Sequence, residues 1–164
     1  MVSREAEFPV CTKLIIVAFV VANYLEAPLD VILVKKLGFP GHPELAMGAI
    51  SSFGDQISVF WNDELSKNVS ESQRICVLER QKDEIKKRSE IYRKNKHKQD
   101  IEIYEYIVIV DDGIATGSTM FAAIESLKAN SKHKKIVVAS PIGCSDQVYN
   151  LRNKVELVAV LSIP

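Results

Sequence analysis

"YIVIVDDGIATGSTMFAAIESLKAN", residues 106–130, sets an apolar strand, two adjacent acids, a glycine-bracketed turn and a hydroxyl-opened helix end to end. The run from Tyr106 to Val110 has no polar alternation, as expected of a strand buried on both faces. Ser118 then opens a helical run. The rhythm continues downstream: "KKIVVASPI" (134–142) reads as a strand, "CSDQVYNLRNK" (144–154) as a helix and "VELVAVLS" (155–162) as a strand. Strand, helix, strand, helix, strand is the pattern of a parallel sheet with right-handed crossovers and helices on both sides. The expected fold is α/β, a three-layer, doubly wound, mostly parallel sheet. Ligands of such sheets bind at the carboxyl ends of the strands, where Asp111 and Asp112 fall.

Upstream the pattern is less regular. "DVILV" (30–34) reads as a short strand, and Ile16–Leu25, with Pro28 soon after, as a helix packing on it. In "KKLGFPGHPELAMGAI" (35–50), two glycines and two prolines between Gly38 and Pro43 predict a loop without regular structure. "QISVFWN" (56–62) reads as another strand. From Ser70 to about Lys98 a serine cap and apolar residues Ile75, Leu78, Ile85 and Ile91 predict a long amphipathic helix. Its basic excess fits a solvated helix face better than a nucleic-acid patch.

Composition narrows the class. The chain has 164 residues, 47% of them hydrophobic, enough for one sizeable core and short for two, so a single domain over 1–164 is expected. Lysine and arginine total 21, matching aspartate and glutamate at 21, so no global field points to nucleic acid or an anionic membrane. Cys11, Cys76 and Cys144 match no zinc or redox spacing and read as reduced, mostly structural residues. "LIIVAFVVANYL" (14–25), following Arg4 and Lys13, superficially resembles a signal sequence. It is too short to span a bilayer, carries Glu5 and Glu7 in what would be the basic region, and lacks a convincing cleavage site; a cytoplasmic location is expected.

The chemistry concentrates after Val110. "GIATGST" must turn from a strand into a helix, presenting backbone N–H groups at the positive end of the helix dipole. Gly113 and Gly117 allow close approach, and Thr116, Ser118 and Thr119 add hydroxyl donors suited to phosphate oxygens. The lysine of a P-loop and the glycine spacing of a dinucleotide fingerprint are both missing. Two carboxylates ahead of an anion cradle suit sugar hydroxyls or a metal, which points to a ribose 5-phosphate. The alternative is that Asp111 and Asp112 only cap a turn.

"IVIVDDGIATGST" resembles the signature of type I phosphoribosyltransferases, which bind 5-phosphoribosyl-1-pyrophosphate (PRPP). The resemblance implies that Asp111 and Asp112 contact the ribose hydroxyls and that Ala115, Thr116, Gly117, Ser118 and Thr119 wrap the 5-phosphate. Gly113 stands where many members have an aliphatic residue. "APLDVILVKKLGFPGHPELAMGAI" (27–50) is similar to a bacterial subgroup of uncharacterised substrate, and the likeness runs from about Ile16 to the C-terminus. It implies a type I phosphoribosyltransferase-like fold and transfer of phosphoribose to a nitrogen acceptor such as a nucleobase. It also implies magnesium bound mainly through PRPP, and a homodimer.

Two departures accompany the match. Where the subgroup has a "PRGGVPVA" turn, similar to the family's pyrophosphate loop, this chain reads "TKLIIVA". The subgroup also continues beyond the last strand into a hood over the acceptor, whereas this sequence ends at Pro164. The expectation is a shortened phosphoribosyltransferase, or else a catalytically impaired PRPP-binding or nucleotide-binding protein, regulatory or degenerate. Lys35 and Lys36 are the cations suited to a departing pyrophosphate, and are otherwise solvated residues at a strand end. His42 and Glu44 lie in the glycine and proline segment that could close over the site, though a lone loop histidine is more often simply exposed.

Overall fold

The computed structural model describes residues 12–53, 56–93, 103–130 and 134–164. In chain order the elements are α1 (Thr12–Tyr24), β1 (Leu33–Phe39), β2 (His42–Phe53), β3 (Gln56–Trp61), α2 (Asp63–Ser66), α3 (Glu71–Arg93), β4 (Tyr106–Val110), α4 (Ser118–Asn130), β5 (Lys135–Ile142), α5 (Ser145–Arg152) and β6 (Leu157–Ser162). The strands form two sheets: β4, β5 and β6 are parallel and adjacent in that order, while β1, β2 and β3 are antiparallel. The α/β class and the strand–helix alternation of the last third hold. The first three strands make a sheet of their own.

α4 joins the two sheets. Met120, Ala123, Ile124 and Leu127 pack with Ile109 of β4 and Ile136 and Val138 of β5, and the helix also packs on β1, β2 and β3. A helix covered on so many sides needs apolar or small residues almost all round, and "MFAAIESL" supplies them. Ser126 is buried and hydrogen-bonds Ser51 of β2 through the two hydroxyls, so the polar atoms on that face find partners. α3 covers the antiparallel sheet around Leu37, Met47, Ile50, Val69 and Ile85.

Several expectations are corrected. The strand expected at 30–34 begins at Leu33 and continues through Lys35 and Lys36 to Phe39. The helix before it packs on β4. The segment expected to be irregular is a hairpin: Phe39 pairs with His42, and Pro40 and Gly41 form the turn between them. Gly41 has φ +82°, so proline followed by a left-handed glycine makes a tight turn, as in type II. Gly38 sits where the register slips, and a Cβ there would meet the Pro43 carbonyl oxygen at 2.8 Å. In α3 the predicted stripe is partly wrong: Ile85 is buried and Leu78 packs beside it, but Ile75 and Ile91 are exposed. The serine cap stands. Ser70 Oγ accepts from the Gln73 N–H at 3.4 Å, while Gln73 Oε1 accepts from the Ser70 N–H at 3.2 Å, a reciprocal capping box. Cys76 and Cys144 are free and exposed, so they do not fill a core. Cys11 and residues 94–98 of the predicted helix lie outside the described residues. Among the described residues no helix is long and apolar enough to cross a membrane.

Candidate functional site

The site starts where β4 ends. The Asp111 N–H still donates to Ala139 O at 3.1 Å, extending the pairing with β5 by one residue. The chain then loops out and is fastened again at Ile114, whose N–H donates to Ile142 O at 3.0 Å and whose carbonyl accepts from the Cys144 N–H at 2.8 Å. Asp111, Asp112 and Gly113 therefore span two fixed points at the carboxyl edge of the parallel sheet. The Asp112 N–H donates to Asp111 Oδ1 at 2.9 Å. Both acids are half-buried. Burial raises the Asp111 carboxyl above the usual aspartate value, and the neighbouring Asp112 charge pushes it the same way. A carboxylate disfavoured by burial in this way, as Asp111 is, gains from hydroxyl hydrogen bonds or from a cation.

The turn into α4 provides the opposite polarity. Gly117 is buried with φ +69°, and a Cβ there would lie 2.9 Å from Phe121 Cε2 and 3.3 Å from Gln147 Oε1. Gly113 lacks a left-handed φ, and its added Cβ would meet only Ile142 Cγ2 at 3.3 Å, so its constraint is one of space. Thr116 Oγ1 and Ser118 Oγ are 3.2 Å apart, and the Gly117 carbonyl accepts from the Phe121 N–H at 2.8 Å. Ala115, Thr116 and Thr119 are exposed beside the first turn of a 13-residue helix. Exposed hydroxyls and first-turn N–H groups at a helix N-terminus are of the kind suited to an anion, and they follow the acidic pair by a few residues.

The two lysines part company. Side chains on a strand alternate faces, and Lys35 reaches Glu84 of α3 at 2.6 Å while Lys36 reaches Glu44 across the hairpin at 2.8 Å. Neither stands at a strand end; both are inside β1. The lysines hold the carboxyls of Glu84 and Glu44 below the usual range through a hydrogen bond and charge. Lys36, but not Lys35, lines a cavity of about 720 Å³ that Ser118 and Phe121 of α4 also line. His42 is exposed at the start of β2. The same cavity takes Phe60, Asn62 and Asn150, none of which stood out in the sequence. Phe60 lies at the end of β3, Asn62 caps α2 just after it, and Asn150 lies in α5, so only tertiary packing brings Asn150 to the other two. Among the described residues no group of three His, Cys, Asp or Glu side chains could hold a metal ion.

Residues 63–163, more than half of the chain, match the family model described as uracil phosphoribosyltransferase. Two proteins of Mycobacterium tuberculosis, from strains CDC 1551 / Oshkosh and ATCC 25618 / H37Rv, each named "Putative phosphoribosyl transferase", are 38% identical over 150 residues, 90% of this chain and 33% of theirs. The chain thus spans about a third of the length of the curated relatives it matches. The crystal structure of TT1426 from Thermus thermophilus superposes with a TM-score of 0.71 at 34% identity, covering 88% of this chain and 66% of that one.

Proposed function

Since the chain belongs to the type I phosphoribosyltransferase family, we propose that the surface formed by Asp111, Asp112 and the Gly113–Thr119 turn binds PRPP and supports transfer of its phosphoribose to a nitrogen acceptor. The observation that carries this reading is the pairing of opposite polarities at one sheet edge: a half-buried acidic pair and, a few residues on, a helix N-terminus with exposed hydroxyls. The first suits the ribose hydroxyls and the second the 5-phosphate. In the reaction the nitrogen lone pair forms a bond to C1 as the C1–oxygen bond breaks, and pyrophosphate leaves with that electron pair. The protein contributes position and fixed charge. Lys36 is the better placed of the two lysines to meet the leaving group, because it shares a cavity with Ser118, and a pyrophosphate oxygen would have to displace Glu44 from it. Magnesium would neutralise pyrophosphate charge; among the described residues Asp111 and Asp112 are the acids beside the Gly113–Thr119 turn, so most of its ligands would come from PRPP oxygens.

A second reading, an impaired PRPP binder, is favoured by one feature. Both candidate lysines are already ion-paired, and the segment at 12–18 supplies no arginine or glycine. Two measurements separate the readings. PRPP with magnesium should raise the melting temperature, as a ligand of the native state does, and Asp111→Asn with Asp112→Asn should abolish the shift. No shift at millimolar PRPP would refute both readings. Pyrophosphate release over a panel of nucleobases then distinguishes an enzyme from a binder: turnover supports transfer, and binding without release supports the second reading.

A further inference from the structure

Gln147 of α5 closes on the turn into α4 without a hydrogen bond of its own. α5 opens with Cys144 at the N-cap, so Gln147 occupies its third helical position. A glutamine there ordinarily reaches back to the N-cap N–H, as Gln73 does to Ser70 at the start of α3. At α5 that donor is already taken, because the Cys144 N–H donates to Ile114 O at 2.8 Å in the contact that fastens the loop after β4. Among the described residues the Gln147 carboxamide has no hydrogen-bond partner. It turns instead to Gly117, where its Oε1 lies 3.3 Å from the position a Cβ would occupy. The left-handed glycine of the turn is thus flanked by the Phe121 ring and by a half-buried amide. The placement is firm. Val148 and Leu151, next to Gln147 and one turn on, are buried in the core, and a Cβ on Gly143 would meet Val148 Cγ2 at 2.8 Å, so the first turn of α5 is closely packed.

We infer that Gln147 is a binding residue for the phosphate group at the Ala115–Thr119 turn, its Nε2 donating to a phosphate oxygen. This rests on the proposed binding of PRPP at that turn and adds a contact from a second helix. A half-turn about the terminal torsion of a glutamine exchanges Oε1 and Nε2 within nearly the same space, so the amide N–H groups can be presented where the oxygen now lies. A phosphate dianion offers acceptors only. The donors of the turn itself, the hydroxyls of Thr116, Ser118 and Thr119 and the first N–H groups of α4, all belong to one short stretch of chain. Gln147 comes to the same place from α5. Its donor is neutral, so it is not drawn off by Asp111 and Asp112 as a lysine or arginine at that position would be.

The test titrates ribose 5-phosphate into the full chain by calorimetry. Gln147→Met keeps the length of the side chain but cannot donate, and should bind about tenfold more weakly than wild type. Gln147→Glu should be weaker still at pH 8, where the introduced carboxylate faces the phosphate, and should draw level with Gln147→Met at pH 5, where that carboxyl is protonated. The ratio of the two variants removes the titration of the ligand and of the acidic pair, which both share. A side chain that only braced the turn would give a ratio that does not change with pH. In the wild-type chain labelled with 15N-glutamine, the Gln147 side-chain NH2 signals should shift as ribose 5-phosphate is added, a readout independent of how either variant folds. Wild-type affinity in Gln147→Met, a ratio indifferent to pH, or unmoved Gln147 signals in a chain that binds ribose 5-phosphate would each overturn this inference alone. Failure of the wild-type chain to bind ribose 5-phosphate would overturn it together with the proposed PRPP site.

Discussion

Replacing Gly117 by alanine tests the turn on which the candidate phosphate site depends, and the structure supplies two internal controls. At φ +69° an L-residue is strained, by about 1–2 kcal/mol. Alanine also restricts the unfolded chain, which offsets about 0.4–1 kcal/mol of that strain. At Gly117 the new Cβ lies 2.9 Å from the Phe121 ring, a ring that packs against the core cluster, so the side chain must move. Overpacking of this kind adds about 1–3 kcal/mol. Gly41 has the same handedness at φ +82° with nothing within 4 Å, so Gly41→Ala carries the backbone strain alone. Gly113→Ala carries no left-handed strain, and its one close contact, 3.3 Å, is with a terminal methyl of the exposed Ile142 side chain, which has room to give way. The expected order of destabilisation is Gly117→Ala at about 2–4 kcal/mol, Gly41→Ala below about 1.5 and Gly113→Ala near zero. For a chain of this size Gly117→Ala should lower Tm by about 4–16 °C. Urea unfolding followed by circular dichroism, with an unchanged m-value, measures all three. Gly117→Ala should also blunt the PRPP-induced rise in Tm, and Gly41→Ala should not. If Gly117→Ala proves as stable as Gly113→Ala, the left-handed turn is wrong and with it the shape of the cradle.

Asp111→Asn should stabilise the free chain at pH 7 while weakening PRPP binding, the trade expected of a strained site. Because burial raises this carboxyl, its ionised form costs stability above the folded-state pKa. That cost disappears as pH falls through it, so the variant's advantage should vanish in acid, and an advantage independent of pH would count against a charge effect. Glu84 behaves oppositely: Lys35 lowers its pKa, so its contribution is present above the ordinary value of 4.5 and is lost as pH falls through the depressed one. The pair is partly exposed, so Glu84→Gln should cost no more than about 1 kcal/mol at pH 7, measured by urea unfolding at pH 7 and pH 3. Ile124→Ala, at the fully buried centre of α4, should cost about 2–5 kcal/mol; a loss below 1 would mean that α4 does not join the two sheets as described.

The parallel half of this protein was legible along the chain. Each step there is local: continuous apolar strands, a serine at the start of α4 and α5, and an acid–glycine–hydroxyl order that follows the chain from Val110 to Thr119. Local patterns survive folding when the residues that carry them are neighbours in the chain, and so the family and its candidate site could be read from them. The antiparallel half was decided by tertiary structure. In β2 the residues from Met47 to Ser52 are all buried, with α3 and α4 packed on the sheet, and small residues such as Gly48, Ala49, Ser51 and Ser52 erase the alternation that would mark a strand. Pro40 and Gly41, which by themselves signal irregular chain, become a hairpin turn only because Phe39 and His42 find each other. The same holds for charge. Lys35 and Lys36 are adjacent in sequence, but the strand sends one to Glu84 and the other to the cavity beside Ser118, and no local pattern records which partner lies across the sheet.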